Sequence, residues 1–374
     1  MKTDVAIIGA GPYGISIAQE LWERKIEFRI FGSPFSLWFS HTQNNMAIRS
    51  DRHTSEIYTT QNRYNFIDYL DKHYAPQKAT LVKKRIPVTI FRNYLRDILR
   101  KLPFEITDNR VEYLAKTNGE FTAQLNCGEQ LAARRVIIAT GIESHKFLPS
   151  CLKKLASRKI IHTWDVQSYE NLRGKKVLVI GAGQSAAEAI IQLKAHNEVT
   201  WLLRHEPAFF SEPINLPTPV FLALLYISPW FYFLPTPARD RLGRMFVHST
   251  ITPDLEEGVM DGAVTKAYGD VEEMNIALKR GRLFSTRLDK KFDCIVAATG
   301  YRLSLSSLGF LCDALQSRIR NKKGIPLLSY NFQTNIPNLY MAGGISEPTY
   351  GPAQRFIMGT RHAALKIGKS IAAN

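Results

Sequence analysis

Val5-Ala6-Ile7-Ile8-Gly9-Ala10-Gly11-Pro12-Tyr13-Gly14 is the stretch that decides the fold of this 374-residue chain. Four apolar residues in a row fit a strand buried on both faces of a parallel sheet. A G-x-G-x-x-G turn follows directly. The next segment places Ile15, Ala18, Leu21 and Trp22 on one helical face, and Glu27 to Phe31 gives a second strand. Strand, glycine turn, helix and strand in this order are the context in which the turn points to a bound dinucleotide. Gly9 permits the tight turn, Gly11 lets a pyrophosphate approach the backbone, Gly14 lets the helix lie close to the strand, and the helix N-terminus offers N–H donors. Without that context such a turn would be an ordinary βαβ connection.

The same unit returns 172 positions downstream. Lys175 to Ile180 is a strand, Gly181-Ala182-Gly183-Gln184-Ser185-Ala186 a second glycine turn, and Ala187, Ile190, Ile191 and Lys194 belong to the helix after it. Val199-Thr200-Trp201-Leu202-Leu203 is the next strand. Two correctly flanked copies predict two dinucleotide sites and an α/β fold of two Rossmann-like domains, one inserted in the other. The boundaries read as 1–160 with 295–374 for the first, and 161–294 for the second.

Between the copies, Pro34 to Tyr58 is polar and aromatic without a clear period. Helices are expected from Tyr64 and over Phe91 to Leu102. Short strands at Phe104–Thr107, Val111–Leu114 and Phe121–Leu125, split by Asp-Asn, Asn-Gly and Cys-Gly signals, predict a β-meander over about 104–125. Two strands end alike, in Ala139-Thr140-Gly141 and Ala298-Thr299-Gly300-Tyr301. Ile336 to Gly344 reads as a further strand and turn, and Gly351-Pro352-Ala353 as the start of a last helix whose positive end suits an electron-rich ring. Residues 207–244, with seven prolines around an aromatic run, form an irregular insertion of the kind that serves as a lid or packs as short helices.

The four cysteines are scattered without a C-x-x-C, which excludes a dithiol redox motif and a zinc knuckle and fits reduced thiols in a cytoplasmic protein. No histidine spacing proposes a metal. Val220 to Leu234 is too short, and too interrupted by Pro229, for the roughly twenty apolar residues that span a bilayer. Lys and Arg outnumber Asp and Glu by 49 to 33, a net charge of +16. Solvated loops account for this as simply as an anionic membrane surface or an acidic partner protein does. Nucleic acid is disfavoured because no binding module accompanies the charge.

The segments GAGPYG (9–14), ATG (139–141), GAGQSAAE (181–188), ATGY (298–301) and NLYMAGG (338–344) resemble those of the two-dinucleotide-domain flavoproteins. Within these, the chain resembles the class B flavin-dependent monooxygenases, which comprise the flavin-containing monooxygenases and the lysine/ornithine N-hydroxylases. The resemblance implies FAD on the first turn (Gly9, Gly11, Pro12, Tyr13, Gly14), with Trp38, Arg49, Ser50, Thr140, Gly343, Gly344 and Pro352 toward the flavin. It implies NADPH on the second turn (Gly181, Gly183, Gln184, Ser185), with Thr299 and Tyr301 at the domain crossing. Arg204 stands where NAD-specific folds carry a carboxylate, and a guanidinium there pairs with a 2′-phosphate.

Two departures from the family pattern stand out. The position after the second strand, where an acid usually grips the adenosine ribose, is Gly32. The fingerprint F-x-G-x-x-x-H is reduced to His162, with Ala156 and Arg158 in place of Phe and Gly. By resemblance, the expected function is NADPH- and O2-dependent oxygenation of a nitrogen, sulfur or carbonyl centre through a C4a-(hydro)peroxyflavin. The substrate would be small or apolar, or held on a carrier. An NADPH-dependent flavin reductase serving a protein or quinone, and a degenerate flavoprotein acting as a binding module, are the alternatives.

Overall fold

The apolar run near the start of the chain becomes β1 (Lys2–Ile8), with Val5 and Ile7 fully buried. A computed structural model describes every residue except 51, 61–62, 78–80, 82–84, 156, 211–227, 247–248 and 374. After β1 come the helix Pro12–Glu23 and β2 (Phe28–Phe31), and later β3 (Val111–Thr117), β4 (Glu120–Leu125) and β5 (Gln130–Ile138). Pro12 suits the first helical turn, where its missing N–H costs nothing. The helix buries Ile15, Ile17, Ala18 and Leu21, but Trp22, expected on that face, is 46% exposed.

Six strands form the first sheet, in the order β2-β1-β5-β4-β3, with a sixth strand on β5. β1 pairs parallel with both β2 and β5, while β3, β4 and β5 form an antiparallel meander. The meander therefore covers 111–138. Phe104–Thr107, expected to open it, instead lies against β2 through a parallel bridge from Phe31 to Thr107. Strand propensity identified the segment, but it carries no information about which edge the segment would satisfy.

The second unit contains β6 (Ile160–His162), β7 (Lys176–Ile180), the helix Gln184–Leu193 and β8 (Glu198–Leu203). β9 (Ala208–Phe209) and β10 (Thr250–Ile251) form a small parallel pair, followed by β11 (Thr265–Tyr268). β12 (Ile276–Lys279), β13 (Arg282–Ser285) and β14 (Lys290–Phe292) form an antiparallel sheet, and β15 (Cys294–Ala297) closes the unit. Five of these strands make an all-parallel sheet, β11-β8-β7-β15-β6. Val177 and Val179 enter the core on one face, and Leu178 and Ile180 the core on the other, as a strand covered on both sides requires. The boundary expected at 294/295 falls inside β15, whose bonds to β7 and β6 keep 294–297 in the second unit.

The chain then returns to the first unit through β16 (Asn321–Lys322) and β17 (Ile325–Pro326). β18 (Leu339–Met341) pairs parallel with Val136–Ile138 of β5. The fold is thus two Rossmann-type α/β units, the second inserted in the first. The last helix is Thr360–Ala372, not a helix opening at Gly351, because two 3-10 turns, Pro352–Arg355 and Ile357–Gly359, come before it. Residues 211–227 of the irregular insertion lie outside the described residues, and the part after them forms two helices, Ser228–Phe231 and Thr236–Phe246. Among the described residues no helix is long and apolar enough to cross a membrane.

Candidate functional site

Both glycine turns are built the same way. Gly9 has φ +113°, and a Cβ there would lie 2.3 Å from the carbonyl oxygen of Ala139. Gly181 has φ +132°, and its Cβ would lie 2.3 Å from the carbonyl oxygen of Ala298. Each turn is therefore pressed against the strand end that carries its Ala-Thr-Gly. No side chain fits in either gap, and the conformation itself excludes one. A Cβ on Gly11 would meet nothing within 4 Å, so open space lies in front of the N-terminus of the helix Pro12–Glu23.

That space is one end of a cavity of about 1080 Å³, large enough for a dinucleotide rather than a small ligand. Of the residues expected to hold FAD, Gly9, Gly11, Pro12, Tyr13, Trp38, Ser50, Thr140, Gly343 and Gly344 line it. Gly14 lies behind the wall, its Cα against Gly9, where a Cβ would come within 1.8 Å of the Gly9 carbonyl oxygen. Pro352 is buried beside the cavity but does not line it. Arg49 points away: its guanidinium donates to the carbonyl (3.3 Å) and hydroxyl oxygens of Thr250 in the second unit, and so joins the two units.

Gln354 is the cavity residue that sequence reading missed. It lines the cavity and is fully buried, and its Nε2 has no hydrogen-bond partner among the described residues, while its Oε1 accepts from Ser346 Oγ at 3.5 Å. A buried amide donor left without an acceptor is costly unless a ligand satisfies it. An orphaned donor beside Gly343 and Gly344, together with the open space at Gly11, fits a flavin dinucleotide carrying carbonyl oxygens at one end and phosphates at the other. Tyr13 secures this end, donating its hydroxyl to the carbonyls of Gln354 (2.8 Å) and Phe356 (3.1 Å), and burial pushes its pKa well up.

At its other end the cavity reaches the crossing between the units. The outgoing chain after Ala139-Thr140-Gly141 and the returning chain after Ala298-Thr299-Gly300 run antiparallel. Phe147 N donates to the Gly300 carbonyl (2.9 Å), Arg302 N to the His145 carbonyl (2.8 Å), and the hydroxyl of Thr299 to the Phe147 carbonyl. Thr299 thus holds the crossing together. Tyr301 stands at the cavity wall with Trp164, His41 and Lys146, and burial raises its pKa. His41 stacks on Trp164 with ring centroids 4.2 Å apart, and its Nδ1 lies 3.1 Å from the Trp164 carbonyl, to which it donates.

His162, the surviving residue of the degraded fingerprint, holds a structural post. Trp164 N donates to its Nδ1 at 3.1 Å, so the proton sits on Nε2, which donates to the Gly300 carbonyl at 3.1 Å. Burial lowers its pKa, so the ring stays neutral in this role. Ala156 lies outside the described residues.

At the second turn, Gly183 caps the helix Gln184–Leu193 and leaves its first N–H groups facing outward. The Gln184 side chain is already engaged by the protein. Its Nε2 donates to Glu188 (3.0 Å) and Thr252 (3.1 Å), and its Oε1 accepts from Thr252 N (2.9 Å). The N–H groups at this helix end, Ser185 among them, are what remains for an anion. Arg204 is exposed at the end of β8, and two carboxylates lie close to it. Asp270 is lowered mainly by its hydrogen bond with Glu272, and Glu272 is raised mainly by the same bond, while Arg204 pulls both downward. Gly181, Gly183, Gln184, Ser185 and Arg204 lie outside the first cavity, and Thr299 and Tyr301 lie at the crossing between the two sites.

Residues 6–215 match the pyridine nucleotide-disulphide oxidoreductase family. The chain is 26% identical over 403 residues to the indole-3-pyruvate monooxygenase YUCCA1 of Oryza sativa subsp. japonica, covering 98% of this chain and 90% of that one. It is 27% identical over 237 residues to the trimethylamine monooxygenase of Pelagibacter ubique (strain HTCC1002), covering 56% and 53%. In fold it is similar to the ornithine hydroxylase PvdA from Pseudomonas aeruginosa, with a TM-score of 0.79, 17% identity and 100% and 99% coverage. The chain belongs to the pyridine nucleotide-disulphide oxidoreductase family, as a two-dinucleotide oxidoreductase of the class B flavin monooxygenase kind that uses FAD and NADPH.

Proposed function

We propose that this enzyme inserts one oxygen atom from O2 at a nitrogen, sulfur or carbonyl centre of a small or apolar substrate. The supporting observation is the course of the first cavity, which runs from the open space at Gly11 to Trp164 and Tyr301 at the crossing, where the two units meet. Bound FAD supplies the hydride-accepting and oxygen-activating chemistry. In this assignment the first unit holds FAD and the inserted unit holds NADPH. For a heteroatom, substrate, O2, NADPH and one proton give oxygenated substrate, NADP⁺ and water, with two electrons from NADPH and two from the heteroatom reducing the O2.

The chain's own residues bind, orient and exclude water. The N–H groups after Gly11 and Gly183 receive the pyrophosphates, the Gln354 amide receives a flavin carbonyl oxygen, and Arg204 receives the 2′-phosphate of NADPH. Trp38, His41, Trp164 and Tyr301 wall the reacting end with rings, which keeps water out and favours an apolar substrate. An NADPH-oxidation and O2-uptake screen over amines, thioethers and ketones, with products weighed for a gain of one oxygen, tests the proposal. Coupled uptake with oxygenated product in one class is expected. Return of all consumed O2 as H2O2 in every class would overturn it.

A further inference from the structure

We propose that Asp108 supplies, from a neighbouring strand, the carboxylate that grips the adenosine ribose of FAD. The inference rests on the assignment of FAD to the first cavity. Position 32 cannot do this work. Gly32 has φ +126°, and a Cβ there would lie 3.3 Å from Ala10 N and 3.5 Å from the Gly9 Cα, so a side chain would be both strained and crowded. The end of β2 therefore presents bare backbone to the cavity.

The segment that fills the gap is the one displaced from the meander. Thr107 N donates to the Ile30 carbonyl (2.9 Å), and Gly32 N donates to the Thr107 carbonyl (3.0 Å). This parallel register pairs Phe31 with Thr107, so the next residues, Gly32 and Asp108, stand side by side at strand spacing of about 4.8 Å. The Thr107 carbonyl also accepts from Asn109 N (2.8 Å), a three-residue turn with Asp108 at its centre. Asp108 lines the cavity together with Gly11, Gly32 and Ser33.

The other carboxylates on this wall are placed less well. Glu143 is paired with Arg110 at 3.1 Å, and Glu112 lies further along, on β3. Asp108 makes no hydrogen bond or ion pair among the described residues, and the Phe31–Thr107 register sets it closest to the end of β2 of the three carboxylates on this wall.

Titrating flavin-stripped full-length chain with three ligands, followed by flavin fluorescence, tests this. The ligands are FAD, an FAD whose adenosine ribose lacks its 2′-hydroxyl, and FMN, which has no adenosine. Asp108→Asn and Asp108→Ala should each weaken FAD binding roughly ten- to hundredfold. The deoxy analogue should weaken wild type similarly and should cost the variants little more, while FMN binding stays the same in all three proteins. Glu105→Gln, an exposed carboxylate of the same segment that does not line the cavity, is the control, expected to bind FAD as wild type does. Variants that bind FAD as tightly as wild type, or that lose affinity additively with the deoxy analogue, overturn the inference alone. A wild-type chain that takes up no FAD sinks the FAD assignment, and the inference with it.

Discussion

Arg85 in the first unit forks onto Asp254 in the second, with Nη2 2.7 Å and Nε 2.9 Å from its carboxylate oxygens. The same guanidinium lies 3.4 Å from Glu188 Oε1 and donates to the Ala47 carbonyl at 3.0 Å. Glu188 sits on the helix that follows the second glycine turn, so this one side chain fixes that helix against the first unit.

Removing the fork should leave Glu188 buried without its cation. Burial raises the Glu188 pKa and Arg85 counters it. Arg85→Met is expected to cost about 2–4 kcal/mol in urea unfolding. Adding Glu188→Gln in the same chain should recover part of that loss. Simple additivity of the two changes would show that the pair is energetically silent.

Gly9 and Gly11 should fail in different ways. Gly9→Ala drives a Cβ into the Ala139 carbonyl at a positive φ, and should lower stability by about 3 kcal/mol or more. Gly11→Ala meets no protein atom, so the melting temperature of the flavin-free chain should hold while FAD affinity falls about tenfold or more. Calorimetry paired with flavin titration separates the two. Equal melting temperatures for both variants would contradict the geometry.

Arg204 should act on NADPH through binding alone. Arg204→Ala is expected to raise KM for NADPH roughly ten- to hundredfold while leaving kcat and the use of NADH nearly unchanged. Because Asp270 competes for the same guanidinium, Asp270→Asn should move KM for NADPH the opposite way. Steady-state kinetics with both nucleotides check this, and an unchanged KM in Arg204→Ala would remove the residue from the site.

Stability should depend on pH through His362. The ring lies against Phe332 (5.3 Å) and Tyr350 (5.6 Å), and burial, helped by Lys366, lowers its pKa to about 4 from an ordinary 6.5. Between those values the unfolded chain binds the proton and the folded chain does not. Stability is therefore full above about 6.5 and falls as pH drops toward 4, by at most roughly 3 kcal/mol. Denaturant titrations at a series of pH values should show His362→Gln flattening that interval. A slope that persists unchanged would assign it to other groups.

Local chemistry made the two βαβ units legible, because a buried strand, a glycine turn and an amphipathic helix each have a short-range signature. Pairing did not have one. Nothing within Phe104–Thr107 says that its partner is Phe31 rather than Val111, since any open edge satisfies the same backbone groups. The flavin-side contacts show the same limit. Pro352 marked the right turn, but two tight turns carry the chain on, and Gln354 is the side chain that reaches the cavity. Arg49 and Gln184 had the expected residue types at the expected positions, yet they bond to Thr250 and Thr252, contacts that only the docking of distant segments creates.

β5 has a consequence for how the chain is made. One edge of β5 pairs with β1, and the other is shared between β4 and β18, so the first sheet needs residues from 2 to 341. The inserted sheet needs only 160–297. During synthesis the inner unit can close while the outer one still shows the unpaired Val136–Ile138 edge. Over that interval the nascent chain carries a sticky strand that waits for Leu339–Met341 to leave the ribosome. The unit that begins first is therefore the unit that finishes last.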